Sequence, residues 1–214
     1  ELDFEHEARM IRRFRGNLEG RERSYVVPRV HDELSSATIL TMDFMRGARL
    51  DALGERHNRK VVLHNIINAA FEQVFVDGLF HADPHPGNLF VLDNNRLALI
   101  DFGSVGQISY AMRETLVVLA VSIGMRDADA VARLLYRVGV PSERILLHRL
   151  RDAVASMFDK YFRDRTTLAN VDAAQLLREL FDLAAAFQLR LPSEYALVGR
   201  ASMTVEGIIR QMDP

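Results

Sequence analysis

Several classes of site are excluded because the chain lacks the residues that they need. Cysteine is absent from the 214 residues, so a disulfide framework, a thiolate metal site and a cysteine nucleophile are impossible. No apolar run approaches the roughly 20 residues that a membrane-spanning helix needs. The formal net charge of −2 gives no global positive field for nucleic acid. These absences predict a soluble intracellular domain that does not bind nucleic acid.

Lysine is scarce, because only Lys60 and Lys160 stand among the 27 basic residues. Any mechanism that depends on a lysine therefore has two candidates. The composition is otherwise that of a folded protein, with 49% hydrophobic and 26% charged residues, which excludes a disordered or low-complexity chain.

Hydrophobic spacing divides the chain into a mixed first half and a helical second half. In the first half it predicts a helix at 1–18, strands at 25–30 and 37–44, a short helix at 50–53, a buried helix at 61–76, and a hairpin of 89–92 with 97–100. In the second half it predicts helices at 108–124, 127–138, 142–162, 172–188 and 193–211, with Asp127 as a cap and Pro141 and Pro192 in first turns. This order predicts an α+β fold with a small sheet at one end.

One irregular segment between the buried helix and the hairpin carries most of the chemistry. Two prolines and a glycine in the run His81-Ala-Asp-Pro-His-Pro-Gly-Asn88 favour a loop whose polar side chains are not paired in a regular ladder. Asp83 and Asn88 lie five residues apart in this loop, and Asp101-Phe-Gly follows at the end of the returning strand. Protein-kinase catalytic loops have the same order of residues.

The types of these residues suit phosphoryl transfer. Mg²⁺ prefers hard oxygen ligands and uses one or two protein carboxylates, so Asn88 and Asp101 are the candidate metal ligands. Asp83 is the candidate that orients or deprotonates the attacking group. Taken singly, each residue is more often a turn cap or a strand end, but the three at this spacing indicate a site for nucleotide phosphates.

These motifs and the two ends of the chain resemble the UbiB/AarF family of atypical kinases. The run from His81 to Asn88, followed by Ile100-Asp-Phe-Gly103, carries the resemblance. The opening Glu1-Leu-Asp-Phe-Glu-His-Glu-Ala8 looks like that family's Glu-x-Asp motif and the glutamate that follows it. The closing segments 191–200, 205–207 and 213–214 are also similar to the family.

The resemblance implies a protein kinase-like fold. An incomplete N-lobe would occupy 1–47, with helix C, two strands and the hinge, and a mostly helical C-lobe would occupy 48–214. Glu7 would pair with a strand lysine, and Glu1 and Asp3 would form the family's extra acidic pair near the nucleotide. The hinge backbone would hold adenine, through Met42, Asp43, Phe44 and Met45. Asp83 would take the catalytic-loop role, and Asn88 and Asp101 would bind Mg²⁺.

Departures from ordinary protein kinases bear on regulation and on the phosphate. Ala82 stands where many kinases place an arginine that captures a phosphorylated activation loop, so that charge-pairing switch is unavailable. Only 104–107 separate Asp101-Phe-Gly from the next predicted helix, which leaves no room for a long activation segment. His85 stands where a lysine or arginine often approaches the transferring phosphate, which makes it a candidate catalytic residue; the alternative is a histidine that only braces the loop.

A kinase also needs a phosphate-covering loop and a lysine upstream of the helix-C glutamate. Lys60 and Lys160 lie too far along the chain to supply that lysine, and the Lys-x-Gly-Gln motif and alanine-rich loop of the resembled family are missing from these 214 residues. We therefore expect the chain to be part of a longer protein and not to turn over ATP by itself.

The leading prediction is an ATP-dependent atypical kinase or ATPase that uses Mg²⁺. The resemblance implies a role in quinone or isoprenoid-lipid biosynthesis, with prenyl-lipid or quinone precursors and their biosynthetic enzymes as partners. It also implies a cytoplasmic protein with peripheral contact at the inner membrane. Two alternatives stay open: a small-molecule phosphotransferase of the aminoglycoside or choline kinase type, and a pseudokinase that binds nucleotide or lipid as a scaffold.

Overall fold

The computed structural model describes residues 3–141, 146–162 and 173–212. Contacts divide the chain into two compact units, one formed by Glu1–Gln107 with Arg200–Pro214 and the other by Ile108–Gly199. The first unit contains all the described residues of the candidate site. The lobe boundary expected at residue 47 stays a prediction.

The described part of the chain contains seven α-helices and eight short strands, together with short 3-10 and π-helical segments. The helices are α1 (Phe4–Leu18), α2 (Arg59–Phe71), α3 (Tyr110–Gly124), α4 (Ala128–Val138), α5 (Leu147–Phe162), α6 (Ala173–Ala186) and α7 (Ser193–Met212). The strands are β1 (Tyr25–Val26), β2 (Ala48–Arg49), β3 (Leu79–His81), β4 (Leu89–Val91), β5 (Leu97–Leu99), β6 (Val105–Gln107), β7 (Val140–Pro141) and β8 (Leu189–Arg190). The predicted α+β class is confirmed. Among the described helices, none is long and apolar enough to cross a bilayer.

Helix α1 is held by a cap at its start and by a packed face along its length. Asp3 precedes the first turn and accepts a hydrogen bond from the His6 N–H at 2.8 Å, which satisfies one of the amide groups that a helix start leaves unpaired. Ala8, Ile11 and Phe14 share one face by helical spacing and are buried in the core of the first unit.

The main sheet of the first unit has the strand order β1-β5-β4-β2. The predicted hairpin is present as β4 and β5, which pair antiparallel with Leu89 opposite Leu99. Strand β1 pairs with β5 in parallel, with Tyr25 opposite Leu97. The hairpin places Asp101 shortly after the end of β5.

The strand predicted at 37–44 is wrong. Two isolated bridges occur in this region, Val30 with Met42 and Ser36 with Ile39, and the fourth strand of the sheet is β2 instead. The strand predicted at 25–30 is present only as Tyr25–Val26.

Local hydrogen bonds and a proline explain both differences. Ser35 Oγ donates to the His31 carbonyl at 2.8 Å and accepts from the Thr41 N–H at 3.0 Å, so a side chain replaces the backbone partner that a strand would supply. Pro28 has no N–H to donate to a ladder, which favours an early end of β1.

Helix α2 changes its hydrogen-bond register before the candidate catalytic loop. Arg59–Phe71 is α-helical, and Glu72–Asp77 continues it as a π-helical segment, in which each turn takes up more residues. Gly78 follows at a φ of +66°, a left-handed conformation that glycine adopts without steric cost. The predicted helix and its Asp77-Gly78 end are confirmed, but the expectation that the helix is buried on all sides is wrong. Val62, Ile66 and Ala69 form one buried face, whereas Ile67 and Phe71 are exposed.

A two-stranded sheet connects the candidate catalytic loop with the Asp101-Phe-Gly turn. Strand β3 leads into the loop and pairs antiparallel with β6, which follows the turn, and Phe80 lies opposite Gly106. A Cβ at Gly106 would lie 2.2 Å from Phe80 Cζ, so the buried ring of Phe80 fills the space that a side chain there would need.

The second unit is built from helices. Asp127 caps α4 as predicted, since its side chain accepts from a backbone N–H in the first turn. Leu150 and Val154 on α5 are fully buried in the core of this unit. Pro141 lies in β7 and not in a first helical turn, and Pro192 directly precedes α7. The start predicted for α5 at 142–145 lies outside the described residues.

Candidate active site

The candidate catalytic loop is a tight turn held by its own backbone. The His85 N–H donates to the Asp83 carbonyl at 2.8 Å, and the Asn88 N–H donates to the His85 carbonyl at 2.9 Å around the 3-10 turn at Pro86–Asn88. The Asp83 side chain is exposed, and its carboxylate has no hydrogen-bond partner among the described residues. This carboxylate is therefore accessible to a ligand.

Asn88 links the catalytic loop to the hairpin. Its side chain is buried, and Nδ2 donates to the Asp83 carbonyl at 3.4 Å. The backbone carbonyl of Asn88 accepts a hydrogen bond from the Ile100 N–H at 3.3 Å. Ile100 follows the end of β5 and directly precedes Asp101. The fold thus brings the segments of Asp83, Asn88 and Asp101 together.

The Asp101-Phe-Gly turn is held from two sides. Asp101 Oδ1 accepts from the Gly103 N–H at 2.8 Å, and the other carboxylate oxygen has no partner in the described part of the chain. Phe102 is fully buried, and its ring packs edge-on against Phe14 with centroids 4.9 Å apart. The Phe102 N–H donates to Glu7 Oε1 at 3.1 Å, so α1 contacts the turn directly.

The acidic residues at the start of the chain have different surroundings. The Asp3 side chain is exposed and takes part in the cap of α1. Glu7 is half-buried, and its observed contact is the Phe102 amide rather than the lysine that the resemblance implies. Glu1 lies outside the described residues.

The segment predicted as a hinge, Met42–Met45, is anchored at Asp43. The Asp43 N–H donates to the Arg29 carbonyl at 2.9 Å, and its carboxylate accepts from the Arg29 N–H at 3.1 Å and lies 2.9 Å from His31 Nε2. These hydrogen bonds, the one with His31 first, lower the pKa of the Asp43 carboxyl. The backbone of the next two residues makes no hydrogen bond within the described ranges, and the Phe44 side chain is 87% exposed.

His85 braces the catalytic loop. Its Nδ1 accepts from the Gly87 N–H at 3.0 Å, and a Cβ at Gly87 would lie 2.8 Å from the His85 ring. The alternative left open by the sequence, a histidine that supports the loop, therefore has a definite contact. A role at the transferring phosphate stays a prediction.

His81 is a buried residue whose importance the motif alone did not reveal. Its Nδ1 lies 3.2 Å from the Ser104 carbonyl and 3.3 Å from the Asp83 backbone nitrogen. Burial lowers the pKa of His81, because the charged imidazolium would lose its hydration. In the neutral ring, Nδ1 either donates to Ser104 or accepts from Asp83, according to the tautomer.

The lowered pKa of His81 predicts a loss of stability in mild acid. The unfolded chain binds a proton at His81 near its ordinary pKa of 6.5, whereas the folded chain resists that proton. The free energy of unfolding should therefore fall as the pH drops below this value, by up to about 1.4 kcal/mol per pH unit. Urea unfolding at about pH 7.5 and about pH 5.5 measures the slope.

Two histidine variants separate this effect from other titrations. His81→Gln should flatten the dependence of unfolding free energy on pH, whereas His148→Gln, at an exposed position on α5, should leave it unchanged. An equal slope in wild type and His81→Gln would contradict the assignment.

The donor atoms of the site suit Mg²⁺ that is bound together with a phosphate group. In the described ranges, no three side chains of His, Cys, Asp or Glu come close enough to hold a metal by themselves. Asn88 and Asp101 supply hard oxygen atoms, and Mg²⁺ is commonly bound by one or two carboxylates, with substrate phosphates and waters as the remaining ligands. The residues therefore fit Mg²⁺ delivered with a nucleotide.

Comparison with known proteins gives matches over most of the chain. Residues 1–135 match the ABC1 atypical kinase-like domain, and residues 154–214 match the UbiB helical domain. The chain belongs to the ABC1/UbiB atypical kinase-like family. The resemblance read from the motifs is confirmed.

Several ABC1/UbiB relatives align with the whole chain. A probable protein kinase UbiB from Xylella fastidiosa is 31% identical, over 100% of this chain and 40% of its own length. The chloroplastic protein ACTIVITY OF BC1 COMPLEX KINASE 7 from Arabidopsis thaliana is 32% identical, over 100% of this chain and 31% of its own length. An uncharacterized protein in the hydrogenase 1 5′ region of Clostridium pasteurianum is 28% identical, over 100% of this chain and 40% of its own. The chain thus spans less than half the length of these relatives.

A solved structure shows the same fold as this ABC1/UbiB chain. Rv3197 from Mycobacterium tuberculosis, solved in complex with erythromycin, matches with a TM-score of 0.61 and 20% sequence identity. The match covers 99% of this chain and 55% of the Rv3197 chain. The kinase-like α+β fold expected from the motifs is therefore confirmed.

Proposed function

We propose that this chain is the ATP- and Mg²⁺-binding part of an atypical kinase or ATPase of the UbiB type. The observation that carries the proposal is a set of hydrogen bonds that joins the three motif segments. The Asn88 side chain binds the Asp83 carbonyl, the Asn88 backbone carbonyl binds the Ile100 N–H directly before Asp101-Phe-Gly, and Glu7 binds the Phe102 amide. Membership of the ABC1/UbiB family supports the kinase class.

Asn88 and Asp101 would hold the Mg²⁺ ion. Asn88 uses Nδ2 to bind the Asp83 carbonyl, which leaves its amide oxygen as an acceptor for a cation. Asp101 uses one oxygen for the Gly103 N–H and keeps the other for a ligand. When bound there, the ion would neutralise negative charge on the nucleotide phosphates.

Asp83 acts on the attacking group. Its exposed carboxylate orients the hydroxyl or water that attacks the γ-phosphorus, and it takes up the proton of that group. A new bond forms between the attacking oxygen and phosphorus, and the bond to the ADP oxygen breaks. His85 keeps Nε2 free of its loop-bracing contact, so this nitrogen can donate to a phosphate oxygen.

The hinge and the acidic start of α1 complete the proposed nucleotide site. The Asp43 N–H and carboxylate already form hydrogen bonds with Arg29 and His31. The backbone of Phe44 and Met45 would therefore make the hydrogen bonds to adenine. Glu1 and Asp3 remain the proposed acidic pair near the nucleotide, and Glu7 remains the proposed partner of a lysine.

The proposed setting is quinone or isoprenoid-lipid biosynthesis. It rests on the family of the chain, and it takes prenyl-lipid or quinone precursors and their biosynthetic enzymes as partners. A lipid-like acceptor would require a cytoplasmic protein to make peripheral contact with the inner membrane.

The test uses the full-length protein. Thermal unfolding is followed during titration with ATP and Mg²⁺, and ADP release is measured with and without vesicles that carry a polyprenyl phenol. We expect ATP with Mg²⁺ to raise the Tm and the vesicles to increase ADP release. Asp83→Asn should lower kcat by at least about 100-fold and keep the rise in Tm, because Asp83 acts on the attacking group rather than on the nucleotide.

A matched aspartate serves as the control. Asp93→Asn, on the exposed hairpin turn, should keep wild-type ADP release. Wild-type ADP release by Asp83→Asn would contradict the catalytic assignment. A rise in Tm without ADP release in the wild type would identify a pseudokinase scaffold, and the absence of any rise would contradict the ATP site.

A further inference from the structure

A polar side chain of the π-helical segment Glu72–Asp77 lies in the protein interior. Position 73 continues, by helical spacing, the buried face of α2 that carries Val62, Ile66 and Ala69. Gln73 lies in this segment and is 5% exposed, among the few polar side chains buried in the described part of the chain. A buried glutamine needs hydrogen-bond partners, because an unpaired amide is costly.

The partner of Gln73 is the first residue of the catalytic motif. Gln73 Oε1 accepts from the His81 N–H at 2.9 Å. The next residue, Ala82, donates its N–H to the Ser104 carbonyl at 2.9 Å, across from β3. Because N–H groups of an antiparallel strand alternate between its two edges, the His81 N–H faces the edge of β3 that is not paired with any described strand. Gln73 supplies the acceptor at that edge.

His81 transmits this contact to the candidate catalytic aspartate. Its ring nitrogen Nδ1 lies 3.3 Å from the Asp83 backbone nitrogen and 3.2 Å from the Ser104 carbonyl. The His81 ring also stacks on Phe102, with centroids 6.2 Å apart and an interplanar angle of 20°. The position of His81 therefore affects both the Asp83 loop and the Asp101-Phe-Gly turn.

Arg23 holds both ends of the π-helical segment. Its Nη2 lies 2.8 Å from Asp77 Oδ1 at the last residue, and its Nη1 lies 3.5 Å from Glu72 Oε2 at the first. The Arg23 side chain is 5% exposed. This buried ion pair keeps the segment in place, so Gln73 is directed at β3 by contacts outside its own helix.

We propose that Gln73 is a positioning residue that sets the place of Asp83 through His81. This inference rests on the proposed phosphoryl-transfer function. Loss of the Gln73 acceptor leaves the His81 N–H buried and unpaired, and β3 can then shift to find water or another acceptor. A small shift of a catalytic carboxylate lowers the rate of a reaction much more than it lowers substrate binding.

The test compares variants of Gln73 in the full-length protein. Gln73→Met keeps the size of the side chain without its acceptor, and Gln73→Glu keeps an acceptor. We expect Gln73→Met to lower kcat for ADP release by about 10- to 100-fold with an unchanged KM for ATP, and Gln73→Glu to retain most of the rate. Gln73→Asn, which is one methylene too short to reach His81, should behave like Gln73→Met and remains polar if the methionine variant fails to fold.

Asn65→Leu is the control for simple loss of a side-chain hydrogen bond. Asn65 Nδ2 donates to the Asn95 carbonyl at 2.8 Å, on the hairpin turn away from the catalytic loop. This variant should lower the Tm and keep the wild-type kcat. If Gln73→Met and Gln73→Asn lower the Tm in the same way but keep kcat, Gln73 is purely structural and the inference is contradicted.

A second measurement does not depend on ATP hydrolysis. The amide hydrogen-exchange rate of His81 should rise in Gln73→Met and Gln73→Asn and stay slow in Gln73→Glu and Asn65→Leu. Unchanged exchange at His81 would also contradict the inference. If the wild-type protein shows no ADP release while His81 exchange responds as expected, the proposed function fails and the structural link from Gln73 to His81 stands.

Discussion

Asp101→Asn is expected to abolish the Mg²⁺-dependent stabilisation of the full-length protein by ATP. The half-buried carboxylate of Asp101 has one oxygen bound to the Gly103 N–H and one available to a cation, and asparagine removes the charge that attracts it. At an ATP concentration of about 100 times Kd, a ligand that binds only the folded state adds about 2.7 kcal/mol to the free energy of unfolding. Thermal unfolding with and without Mg²⁺ measures this contribution.

Two comparisons make the result specific for the metal. With EDTA, wild type and Asp101→Asn should show the same small response to ATP, because neither can then use the ion. Asp51→Asn, at an exposed position after β2, should respond like the wild type. If Asp101→Asn showed the full Mg²⁺-dependent rise in Tm, the assignment of Asp101 as a ligand of the metal would be wrong.

Arg23→Met is expected to lower the free energy of unfolding by about 3–5 kcal/mol, because it removes the nearest cation from a buried carboxylate. Asp77 is 3% exposed at its side chain and lies 2.8 Å from Arg23 Nη2. Burial and the Asp77 carboxylate raise the pKa of Tyr25, so its hydroxyl stays protonated and donates to Asp77 at 3.4 Å. Neither this hydroxyl nor the guanidinium of Arg21, which lies 4.0 Å from Asp77 Oδ1 on a largely exposed side chain, can replace the contact with Arg23. Urea unfolding of wild type and variant measures the difference.

An exposed pair and a double variant provide the controls for Arg23. Arg56→Met removes an arginine that is 74% exposed and paired with Asp93, and it should leave the urea midpoint unchanged. Arg23→Met combined with Asp77→Leu should recover part of the lost stability, because the most deeply buried carboxylate is then removed and only Glu72, whose side chain is 20% exposed, has lost its arginine. An unchanged midpoint in Arg23→Met alone would show that the ion pair does not stabilise the fold.

Local sequence patterns were sufficient for much of the fold and for the order of the candidate site residues. Helices α1 to α7 follow apolar spacing, and Asp127 caps its helix as expected, since caps and periodicity act over a few residues. The Asp83–Asn88 loop and the β4–β5 hairpin are also short-range features. The strand predicted at 37–44 was wrong because hydrogen bonds of the Ser35 side chain compete with strand pairing. The alternation of apolar residues carries no information about these side-chain hydrogen bonds.

By itself, the sequence determined the family, the helical elements and the order Asp83, Asn88, Asp101, because each of these is encoded in neighbouring residues. Only the tertiary structure decided that Glu7 binds the Phe102 amide, 95 residues away, and that Gln73 accepts a hydrogen bond from the His81 N–H. It also decided that Arg23 pairs with Asp77, 54 residues away. Buried polar groups must find partners wherever packing places them, and no local pattern specifies which distant group that will be.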